Sequence, residues 1–176
     1  MSDERRFEYR AFRWTRWGPA HVVVRGSTIE ATVGESVVGL DLTDRRPALE
    51  RQADEWRSVF TDGVPVSLGG AHVATITTAP GSPSGLVRRQ HHRVTGEPGL
   101  VLPGMEFTNR GLPHLVTLRS DAGVLVASRR WATPVNVPVT EWSIVREHDL
   151  IPPRVTRAAG PQHIAFWLAM KEALST

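Results

Sequence analysis

Gly160-Pro161-Gln162-His163-Ile164-Ala165-Phe166-Trp167-Leu168-Ala169-Met170-Lys171-Glu172-Ala173-Leu174 is the stretch that decides the fold, because the rest of the chain alternates like strands. Proline suits the first helical position, where its missing N–H is no loss, so Gly160-Pro161 marks a helix start. Ile164 to Met170 is an unbroken apolar run, which leaves a helix no polar face through its middle turns. A helix that is apolar all round is buried. This one, about 161–174, falls short of the roughly 20 residues that a membrane span needs. In a β-rich chain, the concave side of a curved sheet is where such a helix finds cover. The expected fold is therefore α+β and predominantly antiparallel β: a barrel or strongly curved sheet, with this helix packed inside or against it. The competing expectation is a helix lying in a membrane interface.

Working outward, the strand pattern is regular. Phe7 and Tyr9 alternate with Glu8 and Arg10, and the apolar phase then shifts to Phe12 and Trp14, as at a bulge or bend. His21 to Val24 and Ile29 to Val33 form a hairpin turning at Gly26, and Val38, Leu40 and Leu42 follow as a third strand. Strands resume at 64–68 and 71–77. The clearest hairpin joins Leu115–Arg119 to Val124–Ser128 through Ser120-Asp121-Ala122-Gly123, with Asp early and Gly late in the turn. Pro134 and Pro138 place the run around Val135, Val137 and Val139 at a sheet edge. About nine or ten short strands with regular turns imply a barrel or sandwich.

One helix interrupts the strands at about 47–60. Asp44 caps it, Pro47 opens it, and Leu49, Ala53, Trp56 and Phe60 make a narrow apolar stripe among charged neighbours, as on a helix resting against a sheet. Ala79-Pro80-Gly81-Ser82-Pro83-Ser84-Gly85 reads as a surface loop.

Composition narrows the class. The 176 residues suit one domain, expected to span 1–176, with 40% hydrophobic and 22% charged residues. No cysteine is present, which excludes disulfides, a thiolate nucleophile and Cys-ligated metals. The segment Met1 to Arg6 is charged and no apolar run follows it, so a cytoplasmic location without a signal peptide or transmembrane segment is expected. Net charge is only +3, yet the pI is about 10.4, because every basic residue except Lys171 is arginine. Such a bias reflects GC-rich coding more readily than selection for phosphate.

The unit Leu115-Val116-Thr117-Leu118-Arg119-Ser120-Asp121-Ala122-Gly123-Val124-Leu125-Val126-Ala127-Ser128-Arg129-Arg130-Trp131, followed by Trp142-Ser143-Ile144-Val145, resembles the recurrent unit of the tubby-like barrels. That superfamily includes the LURP-one-related proteins and the phospholipid scramblases. The apolar helix is similar to the one that fills their barrel, and the resemblance covers positions 115–174. It implies a barrel around a central helix. Members bind phosphoinositides or nucleic acid, or have no assigned activity, so the fold outweighs the function in what the resemblance implies.

Candidate sites follow from residue type. Arg88-Arg89-Gln90-His91-His92-Arg93 is the densest basic run, and arginine forks with imidazoles suit a phosphate or carboxylate. On a strand these residues split, with Arg88, Gln90 and His92 on one face and Arg89, His91 and Arg93 on the other. Arg5, Arg6, Arg10, Arg13, Arg129 and Arg130 extend the patch only if the fold gathers them. Six tryptophans stand against one tyrosine, and Trp131 and Trp142 are candidates to line an aromatic cavity, although tryptophans more often fill a core. Glu106, Glu141 and His114 are the candidate acid–base groups, but the ordinary place of a glutamate between apolar residues is the solvent face of a strand. The histidines have no metal-ligand spacing, and no nucleophile elbow, P-loop lysine or dinucleotide fingerprint occurs, so no metal and no cofactor is expected.

These features point first to a non-enzymatic β-barrel binding module with an arginine-rich surface. Its ligand would be anionic (a lipid head group or nucleic acid) or a partner protein. The second reading is a cofactor-independent enzyme with cyclase- or isomerase-like acid–base chemistry in an aromatic-lined barrel cavity. The third is a structural subunit of a larger assembly. An interior filled by the C-terminal helix favours the first over the second.

Overall fold

The structure, a computed structural model, describes residues 4–9, 17–42, 63–78, 89–110, 115–129, 134–135, 144–146 and 154–173. In chain order the strands are β1 (Glu4–Tyr9), β2 (Ala20–Arg25), β3 (Thr28–Val33), β4 (Ser36–Asp41), β5 (Val64–Leu68), β6 (Ala71–Thr78) and β7 (Arg89–Gly96). They continue as β8 (Glu106–Arg110), β9 (Leu115–Ser120), β10 (Gly123–Arg129), β11 (Pro134–Val135), β12 (Ile144–Arg146) and β13 (Arg154–Val155), and the helix α1 (Pro161–Ala173) follows. The helix proposed at 47–60 and the loop at 79–85 lie outside the described residues.

All thirteen strands belong to one sheet, in the order β11-β12-β1-β2-β3-β4-β5-β6-β7-β8-β9-β10-β13. From β1 to β10 each strand pairs antiparallel with the next. The β1–β12 pair is parallel. The strand count exceeds the expected nine or ten: β13 is a two-residue strand without a periodic pattern, held by pairing Arg154 and Val155 to β10. β11, with its proline, ends the ladder, where a missing N–H costs no bond.

Side-chain alternation converts directly into two faces. Ala20, Val22 and Val24 of β2 are buried while His21, Val23 and Arg25 are not. Register then joins inward residues into a row, Phe7 to Val22, Ala31, Val38 and Leu68. The β5–β6 hairpin turns on Gly69 and Gly70, both at positive φ (59° and 85°), as a two-residue turn matching strand twist demands. In β10 a register shift between Val124 and Val126 sends both Leu125 and Val126 inward while Val124 stays exposed.

α1 packs against β2, β3 and β4 and also against β9 and β10. Four strands separate those two groups in the ladder, so the sheet bends around the helix. Every helical residue from His163 to Ala173 is buried. At its start Gly160 is the N-cap, its carbonyl accepting from Ile164 N–H (3.4 Å), and Pro161 takes the first helical position. His163 reaches back, its Nδ1 accepting from Gly160 N–H at 2.9 Å, in the manner of the glutamate of a capping box. That fixes the tautomer, so Nε2 donates to Leu100 O at 3.0 Å and ties the helix start to the loop after β7. Trp167 Nε1 donates to Val116 O of β9 at 3.3 Å. The helix is less apolar than its middle suggested, since Lys171 (4% exposed) and Glu172 (0%) are buried with it.

Candidate functional site on the outer sheet face

The described part of the basic run divides as strand alternation requires. Arg93 is exposed and His91 half-buried on the outer face, while His92 (3% exposed) and Val94 point into the core. His92 therefore does not join Arg93 in one binding surface. It lies opposite Phe107, ring centroids 6.5 Å apart, and burial followed by the neighbouring His91 charge pushes its pKa down to about 4. The imidazole is thus neutral at ordinary pH. Burial also lowers His163, partly offset by its bond to Leu100 O.

Register gathers arginines that are remote in sequence. Arg93 of β7 stands opposite Glu106 of β8, which stands opposite Arg119 of β9. Residues directly opposite share a face with Cβ atoms about 5 Å apart. The Arg93 Nε–Glu106 Oε1 separation is 3.9 Å, a loose pair, with 59% of the Arg93 side chain exposed. His91, Thr108, Thr117 and Ala127 align next along the strands. Beyond them, backbone positions Arg89, Arg110, Leu115 and Arg129 align in turn. Exposed Arg154 of β13 stands opposite Ala127.

A depression of about 530 Å³ opens on this face, lined by Arg93, Thr95, Glu106, Arg119 and Asp121 among others. Asp121 belongs to the turn after β9, and its N–H donates to Pro103 O at 2.9 Å. Gly104 (φ 64°) makes room for it, since a Cβ at 104 would overlap the Asp121 carboxylate.

The opposite part of the sheet is charged differently. A depression of about 400 Å³ over β3–β5 follows the register Glu30, Gly39, Ser67, His72, with Arg25 and Asp41 at its rim. Gly39 leaves the gap there, because a Cβ would lie 2.6 Å from Ser67 Oγ. The arginines of this side are committed: Arg25 Nε donates to Glu4 Oε2 at 2.7 Å and Arg6 Nε to Glu4 Oε1 at 2.5 Å. Arg25 first, then Arg6, holds the Glu4 carboxyl below its usual range.

No known protein family, curated protein or solved structure matches this chain.

Of the residues singled out from sequence, Arg93, Arg89 and Arg129 fall on the two rungs just described, and Glu106 sits between arginines on the solvent side. Arg6 is elsewhere in the sheet, on β1. Arg88, His114, Trp131, Glu141 and Trp142 lie outside the described residues, as do Arg10, Arg13 and Arg130. Sequence reasoning missed Arg119, Arg154 and Asp121 as members of the same surface, and the register position of Arg110 opposite Arg89. Each stands alone among uncharged neighbours, and only strand pairing makes them adjacent. Among the described residues no group of three or more His, Asp or Glu is placed to hold a metal ion, and no helix is long and apolar enough to cross a membrane.

Proposed function

We propose that the protein is a non-enzymatic binding module that holds an anionic ligand on the outer face of β7–β10 and β13. The supporting observation is the register that brings Arg93 and Arg119 onto one rung and aligns backbone positions Arg89, Arg110 and Arg129 on another, with Arg154 alongside. Exposed guanidinium groups suit phosphate, sulfate and carboxylate through paired N–H donors. The helix argues in the same direction. Buried on every side and in contact with strands from both halves of the sheet, it takes the space that an interior active site would need.

The test is a full-length variant with Arg93, Arg119 and Arg154 changed to Gln. Wild type is expected to bind heparin or inorganic polyphosphate at low salt, and the variant to elute at clearly lower salt while keeping its circular dichroism. Each phosphate contact removed lowers the slope of log affinity against log salt by about one. Unchanged retention overturns the proposal.

A further inference from the structure

The depression at the β7–β9 end of this face is not simply cationic. Arg93, Glu106 and Arg119 alternate in sign along one rung, and Asp121 adds a second carboxylate from the adjoining turn. Among the described residues its charged side chains are two guanidinium and two carboxylate groups, so it offers an anion site and a cation site side by side. The rung of backbone positions Arg89, Arg110 and Arg129, by contrast, includes no acidic residue.

The backbone of Asp121 is fixed, and its carboxylate has room beside it. Its backbone N–H is bonded to Pro103 O, and its carboxylate lies over Gly104, the one residue type that leaves space for it and tolerates φ of 64°. Glu106 is not locked to either arginine, since its Arg93 separation is 3.9 Å and Arg93 is mostly exposed. The two signs are thus presented side by side, one strand spacing apart, which is about 4.8 Å.

We infer that this depression takes a zwitterionic ligand, a phosphate joined by a short linker to an ammonium group. Either Arg93 or Arg119, each one strand from Glu106, receives the phosphate, and Glu106 between them, with Asp121 at the adjoining turn, receives the ammonium. A two-carbon linker holds these groups at a separation comparable to one strand spacing. The inference rests on the anionic-ligand reading of the face and adds the requirement for a cation on the same molecule. Such chemistry has two sources, a free phosphoamine or a phospholipid head group.

The experiment uses isothermal titration of the full chain with O-phosphoethanolamine, inorganic phosphate and ethanolamine. Phosphoethanolamine is expected to bind at least tenfold more tightly than either fragment. Glu106→Gln combined with Asp121→Asn should erase that preference and leave phosphate binding in place. Arg93→Gln combined with Arg119→Gln should remove both. Sedimentation with phosphatidylcholine vesicles, with and without phosphatidylethanolamine, separates the sources: pelleting that depends on the amine lipid assigns a membrane ligand, and binding of the free compound alone assigns a soluble one. Equal affinity for phosphate and phosphoethanolamine overturns the inference while leaving the anionic reading intact. If none of the three compounds binds, the inference falls, and heparin retention decides the broader reading separately.

Discussion

Tyr9 and Glu172 are 163 positions apart and meet in the core, the phenol donating to Glu172 Oε1. Lys171 Nζ lies 5.2 Å from the Tyr9 ring centroid and 5.5 Å from that of Trp167. Two ionisable side chains at the end of a buried helix are costly to desolvate, and the hydroxyl and the two rings offset part of that cost. Tyr9→Phe keeps the volume and deletes the donor. It is expected to lower unfolding free energy by about 1–3 kcal/mol in urea titration, the usual range for a hydrogen bond to a buried charged group. A change below experimental error would remove this contact from the stabilising set. His92 makes the second residue-scale prediction. Its folded pKa of about 4 lies below the ordinary 6.5, so the unfolded chain takes up the proton first. Stability is then complete above the ordinary value and is lost as pH falls from there toward 4, by about 3 kcal/mol from this group. His163, also lowered, adds to the same slope. His92→Leu should flatten the dependence between pH 7 and 4.5, and an unchanged slope would contradict the assignment.

At the scale of elements, the periodic segments were legible and the non-periodic ones were not. Ala20–Arg25, Thr28–Val33 and Gly123–Arg129 declare themselves through alternation and glycine turns, and the helix through Gly160-Pro161 and its apolar run. β13 carries no local signal, and for β12, whose alternation up to Arg146 is legible, the sequence does not tell that it pairs with β1 in parallel; both pairings depend on a neighbour far away in sequence. The arginine rungs were illegible for the same reason, since register is a property of pairs of strands. Burial of Lys171 and Glu172 ran against their residue types; Tyr9 across the core and Trp167 one turn earlier on the helix are among the groups that meet them. The helix itself is testable. Trp167→Ala should cost about 3–5 kcal/mol, the range for emptying a packed tryptophan site. Trp167→Glu, which adds an unpaired charge at a position with no exposure, should abolish cooperative unfolding. A soluble, cooperatively folding Trp167→Glu chain would instead place the helix at an interface with membrane.

Across the whole molecule the excess of positive charge is small, and what matters is where it is free. On β1–β4 the arginines are engaged among a majority of carboxylates: Glu4 accepts from both Arg6 and Arg25, and Glu8, Glu30 and Asp41 share that side. Over β7–β10 and β13, Arg93 approaches Glu106 only to 3.9 Å, and Arg119 and Arg154 are exposed. Arg6 with Arg25 and Arg93 with Arg154, pairs of equal formal charge, therefore differ in what they can offer a ligand. Field strength above a surface follows uncompensated charge, and it is screened over about 10 Å at 0.1 M salt, so a polyanion senses one side of the sheet and not the average. Replacing Arg6 and Arg25 with Gln should leave the salt needed to elute the chain from heparin nearly unchanged, whereas replacing Arg93 and Arg154 should lower it, although each pair removes the same charge. The same substitutions should invert in stability: the first pair strips Glu4 of its partners, and the second leaves unfolding within about 0.5 kcal/mol of wild type, as is usual for surface changes. Equal loss of retention from both pairs would show that net charge alone governs binding, and the β7–β10 face would then have no special standing.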